Sequence, residues 1–361
     1  MQVERIEIAG YRSIKRLSLP LGPLTVLGGP NGSGKTNLYR ALELSHDASE
    51  GGVPSVTWAG PRRAKEPVRI DVTVSMTDLA YELSLGPVPT APSDPTLFRL
   101  DPEVKEERLH VVQGSRRFVA MERQAGSATL RDGEGRRTPF PLKLWAGESV
   151  LVQIAEPHRF PLMAEMLVRL RAWRFYHHFR TDLEAPVRAP QIGVRTAVLA
   201  HDGADLAAAL QTIVEIGDAP ALARGVDEGF PDSRVEVQSE QGRFSVLMHQ
   251  PGLLRPLAAS ELSDGTLRYL CLLAALLSPR PPPFIALNEP EMSLHSDLLA
   301  PLGKLIAEAS QRSQIWVTTH SEPLASAIAR HSRVLPLRLG KKLGATVVVG
   351  DSGDEAERSE E

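Results

Sequence analysis

Residues 29–36 read Gly29-Pro30-Asn31-Gly32-Ser33-Gly34-Lys35-Thr36. The spacing is G-x-x-x-x-G-K-[ST], the pattern of a loop that wraps a polyphosphate. Such a ligand is large and anionic. Glycines let the backbone curl until several N–H groups face inward, where a Cβ would collide. Lys35 can set its ammonium on the β- and γ-phosphates, and Thr36 can offer a hydroxyl to Mg²⁺. Just upstream, Leu24-Thr25-Val26-Leu27 is a short apolar run that predicts a buried strand. Just downstream, Thr36 to Leu44 carries apolar residues at helical spacing. Strand, glycine loop and helix N-terminus are the context this chemistry needs, because the helix dipole favours an anion there. A nucleotide and Mg²⁺ are the ligands such a loop leads one to expect.

At 361 residues the chain is long enough for a large core and more than one lobe. Its 42% hydrophobic and 24% charged residues are the proportions of a globular protein. The longest strongly apolar run, Tyr269 to Leu277, is nine residues, too short to span a bilayer, so no membrane partner is expected. Met1 to Ile8 alternates polar and apolar like a strand and shows no leader-like apolar region. The one cysteine, Cys271, excludes an internal disulfide and sits in an apolar helical stretch that predicts burial. A cytoplasmic protein is the expectation. The net charge of −3 conceals an asymmetry. Asp351 to Glu361 carries six acids and one arginine, so the remainder is near +2 and the tail reads as disordered.

The texture of the chain predicts five segments. Residues 1–50 form the first part of a nucleotide-binding core. Residues 51–160 are β-rich, with strands expected at Val68–Val74, Leu109–Val112 and Ser127–Leu130 and a proline-rich loop at Pro87–Pro95. Residues 161–250 carry helical periodicity and a hairpin around Gln241-Gly242. Residues 251–350 return to α/β texture, and 351–361 are the tail.

Three segments of the second half complement the loop. Leu262-Ser263-Asp264-Gly265-Thr266 precedes an apolar helix, which Ser263 would cap while the free N–H groups make a second anion site. Pro283 to Leu287 is an apolar strand ending in Asn288-Glu289-Pro290-Glu291, and an acid on a strand tip beside a phosphate loop suits metal coordination and water activation. Gln314 to Thr319 is another buried strand, ending at His320-Ser321.

In this order, with the opening Ile8-Ala9-Gly10-Tyr11-Arg12-Ser13-Ile14, these motifs resemble the RecF-like and SMC-like branch of ABC-type P-loop ATPases. The resemblance is carried by residues 1–45 and 255–335. It implies an α/β P-loop NTPase, an ABC-type ATPase head, with a β-rich and helical lobe inserted between the P-loop and signature halves. It implies nucleotide binding by Arg12, Asn31, Gly32, Ser33, Gly34, Lys35, Thr36 and Asn37, metal binding by Thr36 and Asn288, and catalysis by Glu289 as base, His320 as switch histidine and Lys35. Ser263, Asp264 and Gly265 would form the signature acting in trans, and Ser293, Leu294 and His295 the D-loop. The family works as an ATP-induced head-to-tail homodimer. The usual aspartate before the catalytic glutamate is here Asn288, whose amide brings no charge to a cation, so slow hydrolysis or weaker Mg²⁺ binding is expected.

Two roles remain open at this stage. One is a nucleotide-gated dimerisation switch in DNA repair or recombination, with double-stranded or junction DNA as partner. The other is a nucleotide-sensing module of a defence or toxin system, with a protein partner and little hydrolysis of its own. Arg169, Arg171, Arg174 and Arg180 near Trp173 and Tyr176 raise a nucleic-acid surface, against an ordinary lobe interface. His177-His178 reads as structural, because neighbours on a strand point to opposite faces. A transporter ATP-binding subunit does not fit Leu-Ser-Asp-Gly-Thr and Glu-Pro-Glu. About forty residues after His320 leave no expected room for a carboxylate-rich nuclease domain.

Overall fold

The computed structural model describes residues 2–51, 69–88 and 101–349. Residues 52–68, most of Pro87–Pro95 and the acidic tail lie outside these residues.

The chain begins with strands β1 (Val3–Tyr11), β2 (Ile14–Pro20) and β3 (Leu24–Gly28), then helix α1 (Lys35–Glu50). It continues through β4 (Ile70–Met76), β5 (Leu79–Pro87), β6 (Pro102–Gln113), β7 (Arg116–Gln124), β8 (Ser127–Arg131) and β9 (Arg137–Pro139). Next come α2 (Val150–Gln153), α3 (Pro161–Arg171), β10 (Arg174–Tyr176), β11 (Gln191–Ile192), α4 (Leu206–Ile216) and α5 (Ala219–Gly229). The hairpin β12 (Arg234–Glu240) and β13 (Arg243–His249) is followed by β14 (Leu257–Ala258), α6 (Asp264–Leu276), β15 (Phe284–Asn288) and α7 (Leu299–Ala309). The last elements are β16 (Gln314–Thr319), α8 (Glu322–Ser332), β17 (Leu337–Lys342) and β18 (Ala345–Val349).

These elements form two compact units that interleave along the sequence. The first holds Met1–Gly22, Gly29–Trp173 and Leu337–Glu361; the second holds Pro23–Gly28 and Arg174–Pro336. This differs from a β-rich lobe inserted at 51–160. Strand β4 pairs antiparallel with β1, so β4 to β9 extend the sheet that β1 and β2 begin, in the order β2-β1-β4-β5-β6-β7-β8-β9. The physical reason lies in the alternation. Ile70, Val72 and Val74 on β4 and Tyr81, Leu83 and Leu85 on β5 bury the same kind of face as Ile6 and Ile8 on β1. The other face is a ladder of charges, with Arg69 on Glu106, Arg108 on Glu106 and Glu122, and His110 beside Glu82. Helix α1 lies against β1, β4, α2 and α3. It buries Leu38, Tyr39, Ala41, Leu42, Leu44 and Ala48 at three- and four-residue spacing.

The second unit is built on a parallel sheet in the order β10-β15-β16-β3. Its strands read as unbroken apolar runs because both faces are covered. β15 and β16 are buried at every position. Helix α6 is buried from Leu267 to Leu276 and supplies much of the core with Leu302, Ile306, Leu324 and Ile328. Cys271 is buried within it, and burial pushes its thiol far above the ordinary range, as expected of a packing residue.

Candidate functional site

The loop after β3 is shaped for an anion. Helix α1 starts at Lys35 with Gly34 as its N-cap at φ 108°, and that glycine offers no side-chain cap to the first turn. A Cβ at Gly32 (φ 77°) would meet nothing within 4 Å, so that side of the loop is open to a ligand. Ser33 and Lys35 are buried, and the Lys35 ammonium donates to the Gly29 carbonyl at 2.7 Å and the Pro30 carbonyl at 3.1 Å. The buried Ser33 hydroxyl has no hydrogen-bond partner among the described residues. An orphaned donor in a glycine cradle at a helix start fits the acceptor oxygens of a polyphosphate. Thr36 is half-buried on the first turn, and Asn31 is exposed. Arg12, itself at φ 52°, donates to the Asn37 amide oxygen at 3.3 Å and lies 5.3 Å from the Tyr11 ring centre.

In the second unit the carboxyl ends of three strands stand side by side. Gly28, from which the chain departs into the loop, is paired with Thr319, and Asn288 with Thr318. In open parallel sheets this edge is where ligands bind. Asn288 is buried, its oxygen accepting from Thr318 Oγ1 at 2.5 Å and its Nδ2 lying 2.6 Å from His177 Nδ1. Both ends of the amide are therefore engaged, although its oxygen keeps a second lone pair. Glu289 follows at φ 49°, an uncommon conformation for a non-glycine residue, and its N–H donates to the Thr318 carbonyl at 2.8 Å. His320 Nδ1 is 4.0 Å from Glu289 Oε1 and 3.2 Å from Glu291 Oε1. Glu291 Oε1 also accepts from Thr319 Oγ1 at 2.6 Å, from the His320 N–H at 2.9 Å and from the Ser321 N–H at 3.2 Å. One buried carboxylate thus gathers the whole turn that carries His320.

Ser263 caps α6 as its sequence position predicts, accepting from the Thr266 N–H at 3.1 Å. A Cβ at Gly265 would lie 2.6 Å from the Ser293 carbonyl, so the close approach of these two backbones requires glycine there. Ser293 is itself at φ 63°. Gly265 and Ser293 of one chain therefore touch each other. Asp264 is paired with Arg188 at 2.6 Å, and Arg188 also donates to the Leu262 carbonyl at 2.7 Å. His295 is exposed and caps a short turn through Asp297.

The predicted residues fall into coherent groups. Arg12 and Asn31 to Asn37 lie in the first unit; Asn288, Glu289 and His320 share one strand edge, and Ser263 to Gly265 meet Ser293. His177, read as structural, sits directly on Asn288. The stacking surface does not form. Trp173 and Tyr176 are 2% and 3% exposed, and Arg169 is taken by Asp78 and Glu165, because these aromatics fill cores. Sequence reasoning missed Arg188. It noted Glu291 without seeing what it holds, although a glutamate two residues beyond the presumed base was the available signal.

The chain is similar in fold and sequence to several known proteins. An Smc head bound to the C-winged helix domain of ScpA superposes with TM-score 0.52 at 15% identity, over 97% of this chain and 98% of that one. An Smc head domain with an extended coiled coil, bound to the C-terminal domain of ScpA and derived from Pyrococcus furiosus, gives 0.51 at 13% identity over 96% and 95%. At such identities the likeness concerns the fold, an α/β ATPase head of the ABC type. The OLD nuclease of Thermus scotoductus is 45% identical over 42 residues, which is 12% of this chain and 8% of that protein's length. Residues 24–327, more than half of the chain, match the family described as "AAA domain, putative AbiEii toxin, Type IV TA system", and the chain belongs to that family of P-loop ATPases.

Proposed function

We propose that the protein binds ATP with Mg²⁺ on the Gly29–Thr36 loop, hydrolyses it slowly, and uses the bound nucleotide to gate a head-to-tail homodimer. The observation that carries this reading is the strand edge. The strand that feeds the phosphate loop ends beside Thr319, and the next strands end in His320 and in Asn288-Glu289. Glu289 is then the base that takes a proton from water, and His320 a donor toward the terminal phosphate. Among the described residues no group of three or more His, Cys, Asp or Glu could hold a metal. Mg²⁺ keeps several waters and is held largely by substrate phosphates; Thr36 and Asn288 are the residues that would offer it oxygen. Ser263, Asp264 and Gly265 of one copy would face the nucleotide of the other. No helix among the described residues is long and apolar enough to cross a membrane.

The effector role is a nucleotide-sensing partner module, a reading favoured by the toxin-system description of the family. A DNA-repair role, the other reading, loses its stacking surface with the burial of Trp173 and Tyr176. Salt-dependent DNA binding with and without ATP separates the two.

The primary test is equilibrium binding of a labelled ATP analogue. Lys35→Ala removes most of the affinity, and unchanged affinity in a folded variant sinks the loop assignment. Sedimentation of Glu289→Gln with ATP shows a dimer, and adding Ser263→Arg returns a monomer.

A further inference from the structure

We propose that Thr346, on the β17–β18 hairpin more than three hundred residues away in sequence, is a positioning residue for the phosphate loop; this rests on ATP binding there. Thr346 is 2% exposed, and its hydroxyl donates to the Ser33 carbonyl at 3.0 Å. A hydroxyl has one proton, so the 2.8 Å contact between Thr346 Oγ1 and Ser13 Oγ must be donated by Ser13. The Ser13 oxygen then accepts from Asn37 Nδ2 at 2.8 Å, and the Asn37 oxygen accepts from Arg12 at 3.3 Å. The chain of donors has one direction: Arg12 to Asn37 to Ser13 to Thr346 to the Ser33 carbonyl. It also fixes the amide orientation of Asn37. A backbone bond from the Thr346 N–H to the Ser13 carbonyl at 2.8 Å holds the hairpin in register with this line.

The consequence for the loop follows from peptide geometry. In a planar trans peptide the C=O and the N–H point in opposite directions. Anchoring the Ser33 carbonyl on Thr346 therefore turns the Gly34 N–H away from the hairpin. The glycines divide in the same way. A Cβ at Gly34 would lie 2.0 Å from Thr346 Oγ1 and one at Gly29 2.6 Å from the Leu339 carbonyl, while Gly32 faces open space. Two of the loop's glycines are thus required by the hairpin behind it. With the peptide plane already set, binding does not have to pay for turning it.

The test is titration of Mg-ATP into the full chain, with circular dichroism as the folding check. Thr346→Val keeps the shape and removes the hydroxyl; it raises the Kd about tenfold, the effect of one hydrogen bond. Thr346→Ser restores the donor and stays within about threefold of wild type. Ser13→Ala leaves Thr346 in place, removes its donor, and weakens binding about threefold, which covers the case in which Thr346→Val does not fold. Hydrogen exchange at the Gly34 amide, measured without nucleotide, is faster in Thr346→Val. If wild type binds, Lys35→Ala abolishes binding and both Thr346→Val and Ser13→Ala bind like wild type, the hairpin is passive and the inference is overturned. If wild type does not bind Mg-ATP, the functional reading fails and this inference falls with it.

Discussion

Glu107 in the first unit and Glu291 in the second are both buried carboxylates, and their surroundings differ in kind. Glu107 Oε1 accepts from Tyr81 at 2.7 Å and from Ser149, and Oε2 accepts from the Val150 N–H at 2.9 Å. Its partner Arg123, equally buried, lies 3.5 Å away and spends its other N–H groups on the carbonyls of Ala125, Glu148 and Trp145. Each nitrogen of Arg123 and each oxygen of Glu107 has a partner. Glu291 Oε1 accepts from three donors and lies 3.2 Å from His320 Nδ1, while Oε2 is buried with no partner among the described residues. A buried unpaired oxygen costs about 1–3 kcal/mol, so such an arrangement persists where the surrounding structure imposes it. Full satisfaction marks a carboxylate that holds the fold. Half satisfaction, as at Glu291, goes with a carboxylate that gathers one turn, here the turn carrying His320.

The largest expected effect tests the first half of that contrast. Glu107→Ala strands the Arg123 charge in a dry core and lowers unfolding stability by about 3–5 kcal/mol. The shift is read from the urea midpoint, and ATP affinity of the folded fraction stays unchanged. A loss below about 1 kcal/mol means Arg123 finds water on relaxation, and the network is less sealed than its bonds indicate.

Glu291→Ala should behave in the opposite manner. Removing a half-satisfied charge changes stability by only about 1 kcal/mol, because the lost bonds are offset by the relieved orphan oxygen. Hydrolysis falls by about tenfold or more as the His320 turn loses its anchor, while the ATP Kd stays within about threefold. If Glu291 acts through His320, adding His320→Ala to Glu291→Ala gives no further slowing beyond His320→Ala alone. Additive losses would make Glu291 an independent contributor, and a stability loss matching that of Glu107→Ala would erase the contrast.

What was legible in the sequence follows the range of the interactions. The strand, loop and helix around Lys35 lie within one short stretch, and the Ser263 cap reaches three residues ahead, so local pattern sufficed. The parallel strands ending at Asn288 and Thr319 were readable as apolar runs bounded by polar residues. Sheet membership was not. That β4 joins β1 rather than a separate lobe is a choice among strands of similar alternation, decided by non-local pairing. The same holds for single residues. Arg188 acts on Asp264 across 76 positions and Thr346 on Ser13 across 333, and nothing in their own neighbourhoods announces it. Trp173 and Tyr176 show the converse, a local texture of arginines and aromatics that tertiary packing turns into core.

The smallest effect extends the series to an acid with no partner. Asp47 on α1 makes no hydrogen bond or ion pair among the described residues. Burial, with the negative charges of Glu43 and Glu50 four and three residues away, pushes its carboxyl up to about 7. An aspartate in the unfolded chain titrates near 3.9. The unfolded state therefore ionises first, and Asp47 stabilises the fold less and less as pH rises from about 4 to about 7, with no further change above that. Asp47 is still partly exposed, so water and Arg40 limit the penalty. Asp47→Asn removes the titration and keeps the shape. It should leave stability unchanged at pH 4 and raise it by about 1 kcal/mol at pH 8, read from urea midpoints at the two values. A gain of equal size at both pH values would trace to helix propensity or relieved packing instead of charge. No gain at pH 8 would mean that Asp47 ionises at no cost, and that a half-buried acid without a partner in this helix is as well solvated as one that has several.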